Sequence, residues 1–285
     1  MKSTWLRLMP AVFVLIWSTG FIVARFGMPH APPMTFLAMR YALSMLCFGA
    51  WVLAAGVAWP QSRAQWLHLG VTGVLMHGIY LGGVWSAVKL GMGAGLVSLL
   101  VGLQPLLTAF WIAGRGQRIA PTQWAGLALG LAGLLMVVWQ KLGHGEVNPA
   151  NLAFSLFALA GITAGTLYQK RFVKPCDVRS ANFVQLLAAL AVTAPLALLE
   201  SEGIQLTPEF IGALTWSVLG LTLGGSSLLY LLIQRGAATQ VTSLLYLVPP
   251  TTALMAWVLF GEAITPLTVA GIALTAVGVG IVVRR

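Results

Sequence analysis

The chain has 285 residues, 59% of them hydrophobic and only 8% charged, with a formal net charge of +10 and a mean hydropathy of +0.90. A soluble domain carries about 25% charged residues, so the solvent for most of this chain is lipid, and no soluble domain of ordinary size fits beside the apolar segments. The Lys and Arg residues are scattered at segment ends rather than gathered on one face, which argues against a nucleic-acid surface, and Cys47 and Cys176 lie apart, in an apolar stretch and a basic loop, which argues against a disulfide or a metal site.

Taken in order, apolar segments of spanning length lie at about 8–27, 33–57, 66–89, 92–113, 121–139, 149–170, 179–200, 210–234, 238–260 and 265–283, divided by Gly and Pro clusters. The first has a basic flank like a signal peptide, but Arg25, Phe26, Gly27 and a proline-rich turn follow it in place of a small-residue cleavage site, so it is expected to be the first span. Segments this long satisfy their backbone groups in lipid only as helices, and the alternating ten-residue segments of a membrane barrel are missing.

In span one, Trp17 sits mid-span beside Ser18, Thr19 and Gly20, where it forms either helix-packing bulk or one aromatic wall of a cavity. Arg40, inside span two, is expected to snorkel or bond helix-end carbonyls, a structural role. His77 falls at the centre of span three with Tyr80 one turn on; an ionisable group at that depth faces the bundle interior or a wet cavity. Substrate contact is the favoured reading, against a neutral histidine bonded to a neighbouring helix. Gln104 and Pro105 occupy the middle of span four, and Pro249 and Pro250 the matching place in span nine, either as packing kinks or as hinges. Thr163 and Thr166 in span six, Ser226, Ser227 and Tyr230 in span eight, and Tyr246 in span nine add polar groups; hydroxyls in membrane helices commonly bond their own backbone. The pairs Gly78–Gly82, Gly126–Gly130 and Gly220–Gly224 read as close helix packing.

The strongest signal is an internal repeat. A shift of 145 residues pairs Ser98-Leu99-Leu100 with Ser243-Leu244-Leu245, Pro105 with Pro250, Gly116 with Gly261, Pro121 with Pro266, Gly126 with Gly271 and Gly133 with Gly278. Earlier in the chain it pairs Gly20 with Gly165, Trp85 with Tyr230 and Arg40 with Gln185. Five spans per repeat is an odd number, so the second copy inserts upside down. The expected fold class is an all-α integral membrane protein of ten transmembrane helices in two inverted five-helix repeats, residues 1–141 and 149–285. Such repeats place a solute site near the midplane at their interface. Twelve of the sixteen Lys and Arg fall on one side, three on the other and Arg40 within a span, so both termini are expected in the cytoplasm, and five of the six acids fall on the far side.

These features resemble the drug/metabolite transporter superfamily in its ten-span EamA-type branch. The match is carried by I-W-S-T-G-F at 16–21, by F-L-A-M-R-Y at 36–41, and by the repeat endings: Pro105 with G-Q at 116–117 and Gly126, and Pro250 with G-E at 261–262 and Gly271. Within that branch the chain is most similar to bacterial inner-membrane exporters of aromatic and other amino acids, the YddG type. The resemblance implies a central cavity lined by spans 1, 3, 4, 6, 8 and 9.

Together these readings point to alternating-access export of small neutral or zwitterionic solutes, amino acids among them. The proposed contacts are Trp17, His77, Tyr80, Gln104, Thr163, Ser227, Tyr230 and Tyr246, with hinges at Pro105, Pro249 and Pro250. No Asp or Glu lies deep in a span, so a carboxylate proton relay is missing. An intramembrane enzyme would need a metal motif or a nucleophile beside a placed base, and neither is present. No cofactor is expected, and the partners are a small-molecule substrate and the bilayer. Export of other metabolites or drugs, and a channel-like pore, are the alternatives.

Overall fold

The computed structural model describes residues 2–116, 120–143, 145–228 and 247–283, all helical or connecting. In chain order the helices are α1 (Lys2–Gly27), α2 (Pro33–Ala54), α3 (Arg63–Lys89), α4 in two segments (Ala94–Val101 and Gln104–Gly114) and α5 (Pro121–Gly143). Then come α6 (Pro149–Phe172), α7 (Val178–Ala197), α8 (Pro208–Leu228), α9 (Val248–Phe260) and α10 (Pro266–Val283). Among the described residues, seven of these are apolar and long enough to cross a membrane, and the apolar stretches of α1, α9 and α10 are shorter. The protein is therefore an all-α, multi-pass membrane protein.

Local chemistry sets the helix ends. Prolines open α2, α6 and α8, a position where the missing N–H has no helical partner to lose. Asn148 and Asn151 form a reciprocal capping box on α6, and Asp177 and Thr207 cap α7 and α8. Gly116 and Gly261, partners under the 145-residue shift, both have positive φ, 79° and 66°, which only glycine adopts without cost.

The packing repeats the internal symmetry. α2 packs on α7, α4 on α9 and α5 on α10, so three helices each meet their own repeat mate. The contacts of α3 with α6 and of α1 with α8 interchange under the same operation. This is what a two-fold relating inverted five-helix repeats requires. At the α5–α10 seam the backbones touch: a Cβ on Gly278 would lie 2.3 Å from the Gly130 nitrogen, and one on Gly133 2.5 Å from the Gly271 oxygen. The close packing read from Gly126–Gly130 is thus realised. At Gly220 a Cβ would instead meet Trp216 of its own helix, and on α3 the tight approach to α6 falls at Gly83 rather than at Gly78 or Gly82.

Two departures from straight spans matter for function. α3 contains a π-helical stretch at Val74–Ile79 and α8 one at Ser217–Gly225; under the 145-residue shift the first lands inside the second. α4 breaks at Gly102 and Leu103, and the described part of α9 begins at Val248, the equivalent of Leu103.

One face of the bundle is tied shut by carboxylates. Glu200 accepts from the Met34 and Thr35 amides at 2.9 and 2.8 Å, and Glu262 from those of Ala94 and Gly95 at 2.9 and 3.4 Å. Glu146 accepts from the Gly93 amide at 3.1 Å and pairs with Lys141, and Lys89 pairs with Glu202. Helices α2 and α4 begin on this face, and helix N-termini offer free N–H groups and positive potential. That is why acids collect here.

Candidate functional site

The midplane of α2, α3, α7 and α8 carries two clasps related by the repeat. In the first, Arg40 of α2 donates from Nε and Nη2 to Thr222 Oγ1 in the π stretch of α8, at 3.3 and 3.2 Å. In the second, α7, which carries Gln185, packs against the π stretch of α3 that carries His77. Arg40 and Gln185 are equivalent under the 145-residue shift, and so are Thr222 and His77. The π register is visible in the first clasp, where Thr222 Oγ1 donates five residues back to the Ser217 carbonyl at 2.8 Å. π-Bulges free backbone groups and re-aim side chains, and they recur at functional sites.

Around His77 the site is aromatic. The Tyr41 hydroxyl donates to the His77 carbonyl at 2.8 Å, and the two rings meet edge to face at 5.9 Å. Tyr80 is buried one turn on. Arg40 is only 6% exposed, with its guanidinium 5.5 Å from the Trp85 ring centroid. The expectation that Arg40 snorkels or bonds helix-end carbonyls is corrected: its bonded partner is a hydroxyl on α8, because burial between helices keeps it from the interface.

The other sequence-predicted residues lie in neighbouring groups. Trp17 stacks obliquely on Phe13, 5.3 Å between centroids, with Gly225 of α8 close to its ring. Gln104 Nε2 donates to Thr166 Oγ1 at 2.9 Å, joining α4 to α6. Thr163 is turned inward on its own helix, donating to the Leu159 carbonyl at 2.7 Å, and the buried Ser227 Oγ has no partner. Tyr230 and Tyr246 lie outside the described residues. Pro105 lies in the first turn of the second α4 segment, where a proline displaces no helical bond, and Pro249 and Pro250 lie in the first turn of the described part of α9. The α4 break touches α9 here, since a Cβ on Gly102 would lie 2.9 Å from Pro249 Cγ.

Sequence reading missed three contributors. Thr222 is the hydroxyl that Arg40 bonds, Tyr41 ties α2 to the π stretch of α3, and Trp216 Nε1 donates to Thr19 Oγ1 at 2.8 Å across α8 and α1. The repeat offered a route to the first, because His77 marks Thr222 as its equivalent. Among the described residues no three His, Cys, Asp or Glu side chains gather to hold a metal.

A bundle of apolar helices with equivalent π stretches in its two halves, lined at the midplane by polar and aromatic groups, is a solute transporter. The EamA-like transporter family profile matches residues 5–139 and 151–284, and the chain belongs to that family. It is 26% identical over 265 residues to the uncharacterized inner membrane transporter YedA of Escherichia coli K12, covering 91% of this chain and 85% of that one. It is 28% identical over 279 residues to a probable amino-acid metabolite efflux pump of Salmonella typhimurium, covering 93% and 90%. A probable terminal-alkyne amino-acid exporter of Streptantibioticus cattleyicolor is 25% identical over 305 residues, covering 100% and 94%. A crystal structure at 23% identity, covering 96% of both chains with a TM-score of 0.68, has the same fold.

Proposed function

We propose that this transporter exports small neutral or zwitterionic solutes, amino acids including aromatic ones, across a bacterial inner membrane with both termini in the cytoplasm. Two exporters of amino-acid compounds among its relatives support the substrate class. The midplane chemistry supports it too: Trp17, His77, Tyr80 and Gln104 supply ring faces and neutral hydrogen-bonding groups near the π stretches and the α4 break. In this reading residues 1–141 and 149–285 are the two moving repeats.

The observation that carries the mechanism is the contact between the α4 break at Gly102 and Pro249 of α9. Alternating access needs each repeat to open its own side about a fixed centre. A helix interrupted at that centre bends there at least cost, because the i→i−4 ladder is already open. Pro105, Pro249 and Pro250 each deny that centre an N–H donor.

The test is counterflow of tritiated amino acids in proteoliposomes. Saturable exchange is expected, and a non-saturating flux would mark a pore instead. Pro105→Ala and Pro250→Ala should slow turnover about tenfold, roughly 1.4 kcal/mol on the barrier, while binding read by tryptophan quenching stays near parental. Parental turnover in both variants would reduce the prolines to packing features.

A further inference from the structure

Arg40 is a buried cation with three of its five N–H donors unused among the described residues. Thr222 engages Nε and one Nη2 proton, while Nη1 is buried with no hydrogen-bond partner among them. The ion pairs among the described residues lie elsewhere, at Lys89–Glu202, Lys141–Glu146 and Arg179–Asp177. Facing Arg40 from the packed helices are Tyr41, Tyr80, His77, Thr222 and Trp85, none of which brings a negative charge. The Trp85 face attracts the cation, but a desolvated guanidinium without a counter-charge is costly.

The repeat supplies a control inside the same molecule. At the equivalent position α7 carries a neutral amide, Gln185, and packs against the π stretch of α3 all the same. That helix contact therefore does not require a charge. What Arg40 adds over glutamine is the Nη1 edge of a planar fork, whose geometry matches a carboxylate in two parallel hydrogen bonds.

We propose that the free Nη1 edge of Arg40 is the seat for a carboxylate on the transported solute, with Trp85 and Tyr80 beside it. The inference rests on the transport reading above and specifies which end of a zwitterion binds where. The seat lies under the carboxylate-closed face. Thr35, bonded by Glu200, is five residues away on α2, about 7.5 Å of helix rise, and Lys89 is four residues beyond Trp85 on α3. Parting of the Glu200 and Glu262 contacts is the movement that opens the seat to that side.

The test uses the purified full chain and two probes matched in size, indole-3-acetate and indole-3-acetamide. Thermal stabilisation of the parent is expected at about tenfold lower concentration of the acid than of the amide, equivalent to roughly 1.4 kcal/mol. Arg40→Gln, which copies the symmetric position, should erase that preference while leaving the unliganded Tm within about 5 °C of the parent. Should Arg40→Gln fail to fold, the parent and Arg40→Lys, which keeps the charge, must both favour the acid. Equal response to acid and amide, no response to either, or a preference that survives Arg40→Gln overturns the proposal. Counterflow of tritiated phenylalanine separates this from the wider reading. A parent that favours the acid yet exchanges no amino acid keeps the seat and loses the amino-acid assignment; unchanged amino-acid affinity in Arg40→Gln does the reverse.

Discussion

The α5–α10 seam and the clasps of α2 and α7 both relate the two repeats, and they treat the relation in opposite ways. At two pairs of close approach along the seam the equivalent residues are identical, Gly126 with Gly271 and Gly133 with Gly278, because backbone meets backbone and a Cβ there would collide. Only Gly130 is matched by a larger residue, Thr275, whose hydroxyl bonds the Gly130 carbonyl. At the clasps the backbone shape is kept, with a π stretch in each repeat, but Arg40 stands where the other repeat has Gln185 and His77 where it has Thr222. Packing at a close approach admits one solution, so both copies retain it. Solute handling at a midplane needs an asymmetric surface, since solutes are not two-fold symmetric, and the side chains diverge on a common frame.

The sharpest way to break this comparison is to put bulk on the seam. Gly278→Leu places a side chain where a Cβ alone lies 2.3 Å from Gly130 N and 2.5 Å from Gly126 O. Overpacking against backbone should cost about 3 kcal/mol or more, read as loss of the monodisperse peak in fluorescence-detected size exclusion. A well-folded Gly278→Leu would show that the seam is not held by backbone contact.

At the clasps smaller losses are expected. Tyr41→Phe removes the hydroxyl that donates to the His77 carbonyl at 2.8 Å while keeping the ring. The cost should be about 1 kcal/mol, a Tm lower by roughly 2–4 °C. Transport of substrates that contact His77 should fall further than that stability change predicts, because the π stretch loses a support on its inner face. Equal change in stability and transport would assign Tyr41 to packing alone.

The smallest effect concerns how the two repeats cap equivalent helices. α2 has Pro32 at its cap and borrows Glu200 from the other repeat, while α7 has Asp177 in its own sequence. Hydrogen bonds from Arg179 hold the Asp177 carboxyl below its ordinary range. Its contribution is therefore complete above the usual aspartate value of about 3.9 and is lost as pH falls through the depressed folded value. Asp177→Asn should cost well under about 1 kcal/mol at neutral pH, because the pair is largely solvent-exposed, and the difference should vanish in acid. Glu200→Gln, which loosens a cap between repeats, should affect transport more than Asp177→Asn does, as measured by the same counterflow assay.

Much of the architecture was legible in the amino-acid order, because lipid imposes simple rules. Spanning length, helical state and breaker positions follow from the need to satisfy every backbone group within the segment. The 145-residue register revealed the repeat, and with it the glycine seam and the matching of the prolines near 105 and 250. His77 and Tyr80 stood out because few polar groups share their depth.

What only the tertiary structure decided was which side chains meet. The π stretches change the hydrogen-bond register by one residue, which leaves no mark in hydropathy or composition, yet they aim His77 and Thr222 at their clasps. Arg40 reads as an interfacial cation when α2 is considered alone; the bundle places α8 against it, fixes two donors on Thr222 and leaves the third nitrogen unbonded. Glu200, Glu262 and Glu146 look like loop acids until the fold brings the starts of α2 and α4 beside them. Local sequence sets where a helix must lie, because the cost of an unsatisfied backbone is paid within the segment. The partner of a buried side chain depends on helices far away in the chain, and packing alone determines them.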